Sequence, residues 1–111
     1  KNIYSSLDIL TVTSSYGESF PLTICEAMAC NTLVISTNVG DAEYILNDND
    51  FIIPINEPML LADIWRKNIN LDQINRNKIG DMNRSRIKKL FDIESIEKMY
   101  QFHYNELLNL I

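Results

Sequence analysis

Between Glu18 and Asp41 the sequence carries one charged residue, Glu26. No other feature restricts the fold as strongly, because a stretch this poor in charge has to be covered on most of its sides. The stretch divides into two apolar runs. Pro21 to Cys30 contains Leu22, Ile24, Cys25, Ala27, Met28 and Ala29 and is long enough for a helix, with Pro21 suited to its first residue. Leu33-Val34-Ile35-Ser36 is a short, continuous apolar run of the kind that forms a buried strand. Asn31-Thr32 can separate the two, since Asn tolerates the left-handed conformation that closes a helix. Upstream, Ile9-Leu10-Thr11-Val12-Thr13 reads as another apolar strand, joined to the helix by the polar loop Ser14–Phe20. Strand, helix and strand in this order form a right-handed crossover with parallel pairing.

The pattern then recurs in weaker form. A loop from Thr37 to Asp41 leads to a short helix, Ala42 to Leu46, an Asn-Asp turn and a strand Phe51-Ile52-Ile53 ended by Pro54. Asn2 to Leu7 reads as the last turns of a helix. From Glu57 onward apolar residues follow helical spacing: Leu60, Leu61, Ile64 and Trp65, then Leu71, Ile74 and Ile79, then Ile87, Leu90 and Phe91. Trp65, Met59 and Met82 are read as core or helix-packing residues. Asp92 stands where an N-cap belongs, before a last amphipathic helix whose stripe holds Ile96, Met99, Tyr100, His103, Leu107 and Leu110. His103, on that stripe, is read as a packing residue. The expected fold class is therefore α/β: a parallel sheet of three or four strands flanked by helices, with a helical C-terminal half. Three strands are few for such a sheet, so residues 1–111 are expected to be part of a larger domain whose first strands lie upstream.

Composition excludes several function classes. A net charge of -5 and an isoelectric point near 4.7 argue against a nucleic-acid partner, which calls for a basic footprint. No apolar run reaches the roughly 20 residues that span a bilayer, and the start lacks a signal peptide's apolar stretch, so a soluble, cytoplasmic chain is expected. Cys25 and Cys30 project in different directions from one helix and are expected to be reduced core residues. The basic run of Arg76, Lys78, Arg84, Arg86, Lys88 and Lys89 is expected to be a solvated helix face, with peripheral membrane contact as the minority reading.

The chemistry centres on Glu26. A carboxylate inside an otherwise apolar helix needs partners, either structural ones or a polar ligand. The start of that helix offers a ligand site, because the N–H groups of Leu22, Thr23 and Ile24 would face outward in a field that favours anions such as phosphate. Glu26 lies roughly 7 Å further along the axis at 1.5 Å per residue, and Glu18 lies on the other side, in the loop. Two carboxylates flanking an anion site suit hydroxyl-bearing groups at both ends of a phosphate, as in a nucleoside diphosphate sugar. A helix start after a parallel strand is also the usual ligand end of an open α/β sheet.

The segment Ser14-Ser15-Tyr16-Gly17-Glu18-Ser19-Phe20-Pro21-Leu22-Thr23-Ile24-Cys25-Glu26-Ala27-Met28-Ala29-Cys30 resembles the Glu-x7-Glu donor signature of family-4 retaining glycosyltransferases of the GT-B fold. The resemblance continues through Val34-Ile35-Ser36-Thr37-Asn38-Val39-Gly40 and through Phe91, Tyr100 and Tyr104. It implies a partial Rossmann-like C-terminal domain that binds a nucleotide sugar. By resemblance, Glu18 contacts the donor sugar and is the catalytic candidate, and backbone amides from Phe20 to Leu22 hold the sugar hydroxyls, with Ser19 and Pro21 in the same loop. The amides of Leu22 and Thr23 face the diphosphate, and Glu26 binds the ribose. The resemblance also implies no metal or other cofactor, transfer with retention, a role in polysaccharide biosynthesis, and a carbohydrate or lipid-linked acceptor bound by an N-terminal domain.

Asn31 and Leu33 stand where the family usually has Gly and Pro, and Tyr44 stands where many members carry Glu. The Arg and Lys that neutralise the diphosphate belong to a segment upstream of Lys1, so residues 1–111 alone are expected to be inactive. A non-catalytic module that binds a nucleotide or a partner is the main alternative. A glycosidase using Glu18 and Glu26 as acid and base, and a GT-B nucleotide-sugar epimerase, are the lesser ones.

Overall fold

The computed structural model describes residues 2–110. A short helix α1 (Asn2–Ser5) leads into β1 (Ile9–Val12), α2 (Leu22–Ala29) and β2 (Leu33–Thr37), followed by α3 (Ala42–Leu46) and β3 (Ile52–Ile53). Helices α4 (Pro58–Ile69), α5 (Gln73–Leu90) and α6 (Ile93–Asn109) make up the C-terminal half. The strands form one parallel sheet in the order β1-β2-β3, with Ile9 opposite Leu33 and Ser36 opposite Ile52. The α/β class, the parallel pairing and the helical second half all agree with the sequence pattern.

Strand alternation decides which helix covers which face. Leu10, Val12 and Val34 point to one side, where they join Ile24, Met28, Ile45 and Ile87 from α2, α3 and α5 in a single core. Thr11 points to the other side, where the Trp65 indole of α4 donates a hydrogen bond of 2.9 Å to its hydroxyl. Every residue of β2 is buried, as a central strand covered on both faces requires.

The turn from α2 to β2 explains why Asn31 can stand there. Asn31 takes φ +63°, the Thr32 N–H bonds the Ala27 carbonyl at 3.0 Å, and the Asn31 N–H bonds the Met28 carbonyl at 3.1 Å. This is a left-handed helix closure of the Schellman type, with Asn in the role usually given to Gly. The turn docks on α5: the Asn31 side chain donates to Asp81 at 2.5 Å and accepts from Arg84 at 3.2 Å. Gly80 permits the approach, since a Cβ there would lie 2.2 Å from the Asn31 carbonyl oxygen.

Several sequence expectations need correction. Met59 and Met82 are exposed on the surface and not in the core; Trp65, 47% exposed, is not a core residue either, but it does join its helix to the sheet through Thr11. His103 is also exposed, 3.7 Å from Glu106, because α6 has no buried residue among those described. Asp92 occupies the N-cap position of α6 but its side chain makes no capping bond, whereas Asp72 caps α5 by accepting from the Asn75 N–H at 2.8 Å. The basic run on α5 is not uniformly solvated. Arg76 pairs with Asp8, and Arg86 donates to the carbonyls of Tyr44 and Ile45.

Candidate functional site

The loop between β1 and α2 lies at the C-terminal ends of the strands, the ligand edge of an open parallel sheet. Neighbouring segments fix its path. The Thr37 hydroxyl at the end of β2 donates to the Ser14 carbonyl at 2.6 Å, and the Asp41 N–H donates to the Ser19 carbonyl at 2.8 Å. Gly17 turns the loop at φ +82°, a conformation that favours glycine. Within the loop the Ser14 hydroxyl donates to Glu18 Oε1 at 2.9 Å, which leaves the other carboxylate oxygen for a further donor. Phe20 meets the Phe91 ring edge-on at 5.4 Å, and Phe91 in turn meets Tyr44 at 5.8 Å. An aromatic cluster thus ties the loop to the α5–α6 junction.

At the start of α2, Pro21 is buried and its carbonyl accepts from the Ile24 N–H at 3.1 Å. The sequence expectation of three outward N–H groups is therefore reduced to two, Leu22 and Thr23, which precede the helical ladder. The reading of α2 as buried all round also needs correction. Ile24, Cys25, Ala27 and Met28 are buried, while Leu22, Thr23 and Glu26 are exposed. At positions i, i+1 and i+4 these three share one face. Glu26 therefore avoids the cost of an enclosed carboxylate. Its partner is the Tyr4 hydroxyl, which donates to Glu26 Oε2 at 2.7 Å. This bond, with desolvation and the Glu26 and Cys30 charges, holds the Tyr4 phenol above its ordinary pKa.

Glu18, Ser19, Phe20, Pro21, Leu22, Thr23 and Glu26 thus form one continuous stretch of loop and first helical turns at the sheet's ligand edge. Glycosyl transferases group 1 is the family whose model matches residues 1–86. The chain belongs to this family. Among solved structures it is similar to sucrose-phosphate synthase from Thermosynechococcus elongatus, with 28% identity and a TM-score of 0.83 over 98% of this chain. The chain spans 27% of the length of that protein. No curated protein matches. The three-stranded sheet with its flanking helices is accordingly part of a GT-B glycosyltransferase fold.

For a group 1 glycosyl transferase the supports around the loop matter as much as the loop itself, and most were not picked out from sequence. Tyr4 lies on a short helix distant in the chain from Glu26, and only the fold brings the two together. The bracing role of Thr37 likewise depends on register: β2 runs parallel to β1, so the end of one strand reaches the loop leaving the other. Gly40 did carry a signal as one of three glycines in the chain, placed just after an apolar strand. Among the described residues no group of three or more His, Cys, Asp or Glu side chains could hold a metal ion, and no helix is long and apolar enough to cross a membrane.

Proposed function

We propose that this chain is the donor-binding part of a retaining glycosyltransferase and that it holds a nucleoside diphosphate sugar across the loop from Glu18 to Pro21 and the first turns of α2. The observation that carries this reading is the exposed face of Leu22, Thr23 and Glu26 beside a loop that presents Glu18. The Leu22 and Thr23 amides would meet the diphosphate, where the helix field favours negative charge. Glu26 would accept from the ribose hydroxyls. Glu18 would accept from a sugar hydroxyl close to the bond that breaks, with the backbone of Ser19, Phe20 and Pro21 shaping the sugar pocket. The proposed site uses no metal or other cofactor.

The acceptor, a carbohydrate or a lipid-linked sugar, would bind residues outside 1–111, as would the cations that stabilise the departing diphosphate. We place the activity in the cytoplasm, with peripheral contact to a membrane where the acceptor is lipid-linked. The test is calorimetric titration of the 111-residue chain with uridine, guanosine and adenosine diphosphates, followed by assay with the matching nucleotide sugar. Weak binding of at least one diphosphate without sugar transfer is expected. Turnover by the chain alone, or binding unaffected by Glu26→Gln, overturns the reading.

A further inference from the structure

Glu26 has an unusual kind of partner for a carboxylate that is to meet a ligand. No salt bridge among the described residues involves it, and its hydrogen bond comes from a neutral hydroxyl. A Lys or Arg in that place would neutralise the charge and compete for the lone pairs. A phenol donates one proton to one oxygen, leaving the negative charge intact and Oε1 open to further donors. Tyr4 is itself held. Its ring packs against the main core, and its carbonyl accepts from the Thr32 hydroxyl at 2.8 Å, so α1 is fastened to the turn that closes α2. The phenol thus reaches Glu26 from a fixed base, beside a surface cavity of about 460 Å³ lined by Tyr4, Glu26, Ala29 and Arg84. Arg84 donates to Asn31.

We propose that Tyr4 is the positioning residue that fixes the Glu26 carboxylate for the ribose of the nucleotide donor, an inference that rests on the ribose reading of Glu26 given above. An exposed Glu samples several rotamers, and a ligand that needs one of them bears the cost of selecting it. Tyr4 meets that cost during folding. The contribution belongs to nucleotide affinity, with no part in bond breaking.

The experiment titrates wild type, Tyr4→Phe, Glu26→Gln and the double variant, in the protein that carries this chain, with uridine, guanosine or adenosine diphosphate and with its 2′,3′-dideoxy counterpart. Tyr4→Phe keeps the ring that packs on the core, and a thermal melt checks that it folds. Expected for Tyr4→Phe is a loss of about two- to tenfold in affinity for the ribose ligand, the worth of fixing one long side chain. The same substitution should change neither the affinity of the dideoxy ligand nor that of the Glu26→Gln protein. An equal loss on both ligands would mean a merely structural Tyr4 and overturns the assignment. So does wild-type affinity in Tyr4→Phe while Glu26→Gln weakens binding. If Glu26→Gln leaves ribose-ligand affinity unchanged, or wild type binds no diphosphate, the ribose reading fails first and the Tyr4 assignment with it.

Discussion

Gly40 approaches Ser19 so closely that a Cβ on Gly40 would lie 2.3 Å from the Ser19 carbonyl oxygen and 2.7 Å from that of Glu18. The same contact is sealed by the Asp41 N–H bond to the Ser19 carbonyl. The second strand-to-helix loop therefore sets the height of the first, and with it the place of Glu18.

Gly40→Ala should disturb this relationship in two ways. Its φ of +57° costs an L-residue about 1–2 kcal/mol, and the methyl group meets backbone atoms that cannot rotate aside. The Glu18–Ser19 segment has to move to make room. Expected is a clear fall in melting temperature, roughly 4–8 °C for each kcal/mol lost in a domain of this size, together with a weakened affinity for the nucleotide sugar. Wild-type affinity in a folded Gly40→Ala protein would show that the loop position does not depend on Gly40.

Gly80→Ala tests the second close approach, between α5 and the turn after α2. The added methyl would meet the Asn31 carbonyl at 2.2 Å, again backbone, in the contact that joins α2 to α5. Overpacking of this kind costs about 1–3 kcal/mol. Chemical denaturation should show a net loss, lessened by the roughly 1 kcal/mol that Ala gains over Gly inside a helix, with little change in slope, since the surface exposed on unfolding is nearly the same.

Burial pushes the Cys25 thiol up to about 11, with the Glu26 charge adding to the effect and a backbone hydrogen bond opposing it. The folded pKa is raised, so the stability this thiol contributes is fully present below its ordinary value near 9 and fades as pH climbs through about 11. The thiolate is the reactive form. Alkylation of Cys25 by iodoacetamide at pH 8 should therefore run well below the rate of the denatured chain. Equal rates would mean that the inner face of α2 opens readily.

The sequence made the crossover legible because its charge-poor run leaves little freedom. Leu33 to Ser36 has to be a covered strand, and the helix before it has to bury Ile24 and Met28. What it could not reveal is which side of α2 the sheet leaves bare. Leu22 looks as apolar as Ile24 in the sequence, yet Leu22 is exposed and Ile24 buried, because the bare face follows from how α2 crosses β1 and β2 and from where α5 docks. That geometry is also what turned Glu26 from an enclosed carboxylate into an exposed one held by Tyr4. The amphipathic stripe of α6 misled in the opposite direction: period alone places Met99, Tyr100 and Leu107 on one face, but it does not supply a surface for that face to cover, and all three are exposed.

The last prediction separates the two glutamates of the site, in the full-length enzyme where transfer can be measured. Glu26 is placed to act on the nucleotide, which is bound equally in the ground and transition states. Glu26→Ala should then weaken affinity for the nucleoside diphosphate by about 1.5–3 kcal/mol, the usual worth of hydrogen bonds to a charged group, and raise KM for the donor while changing kcat little. Glu18 is different in its surroundings. It sits in the loop, one oxygen held by the Ser14 hydroxyl, and its other oxygen is proposed to face the sugar, where positive charge develops as the glycosidic bond breaks. An interaction that strengthens only then lowers the barrier without tightening ground-state binding. Glu18→Ala should lower kcat sharply and leave affinity for the sugar-free diphosphate near wild type. Ser14→Ala, which frees the Glu18 carboxylate without removing it, should give a smaller loss of kcat in the same direction. Calorimetry with the diphosphate, paired with steady-state kinetics on all three variants, distinguishes these outcomes. If Glu18→Ala abolishes diphosphate binding while Glu26→Ala does not, the two roles are exchanged.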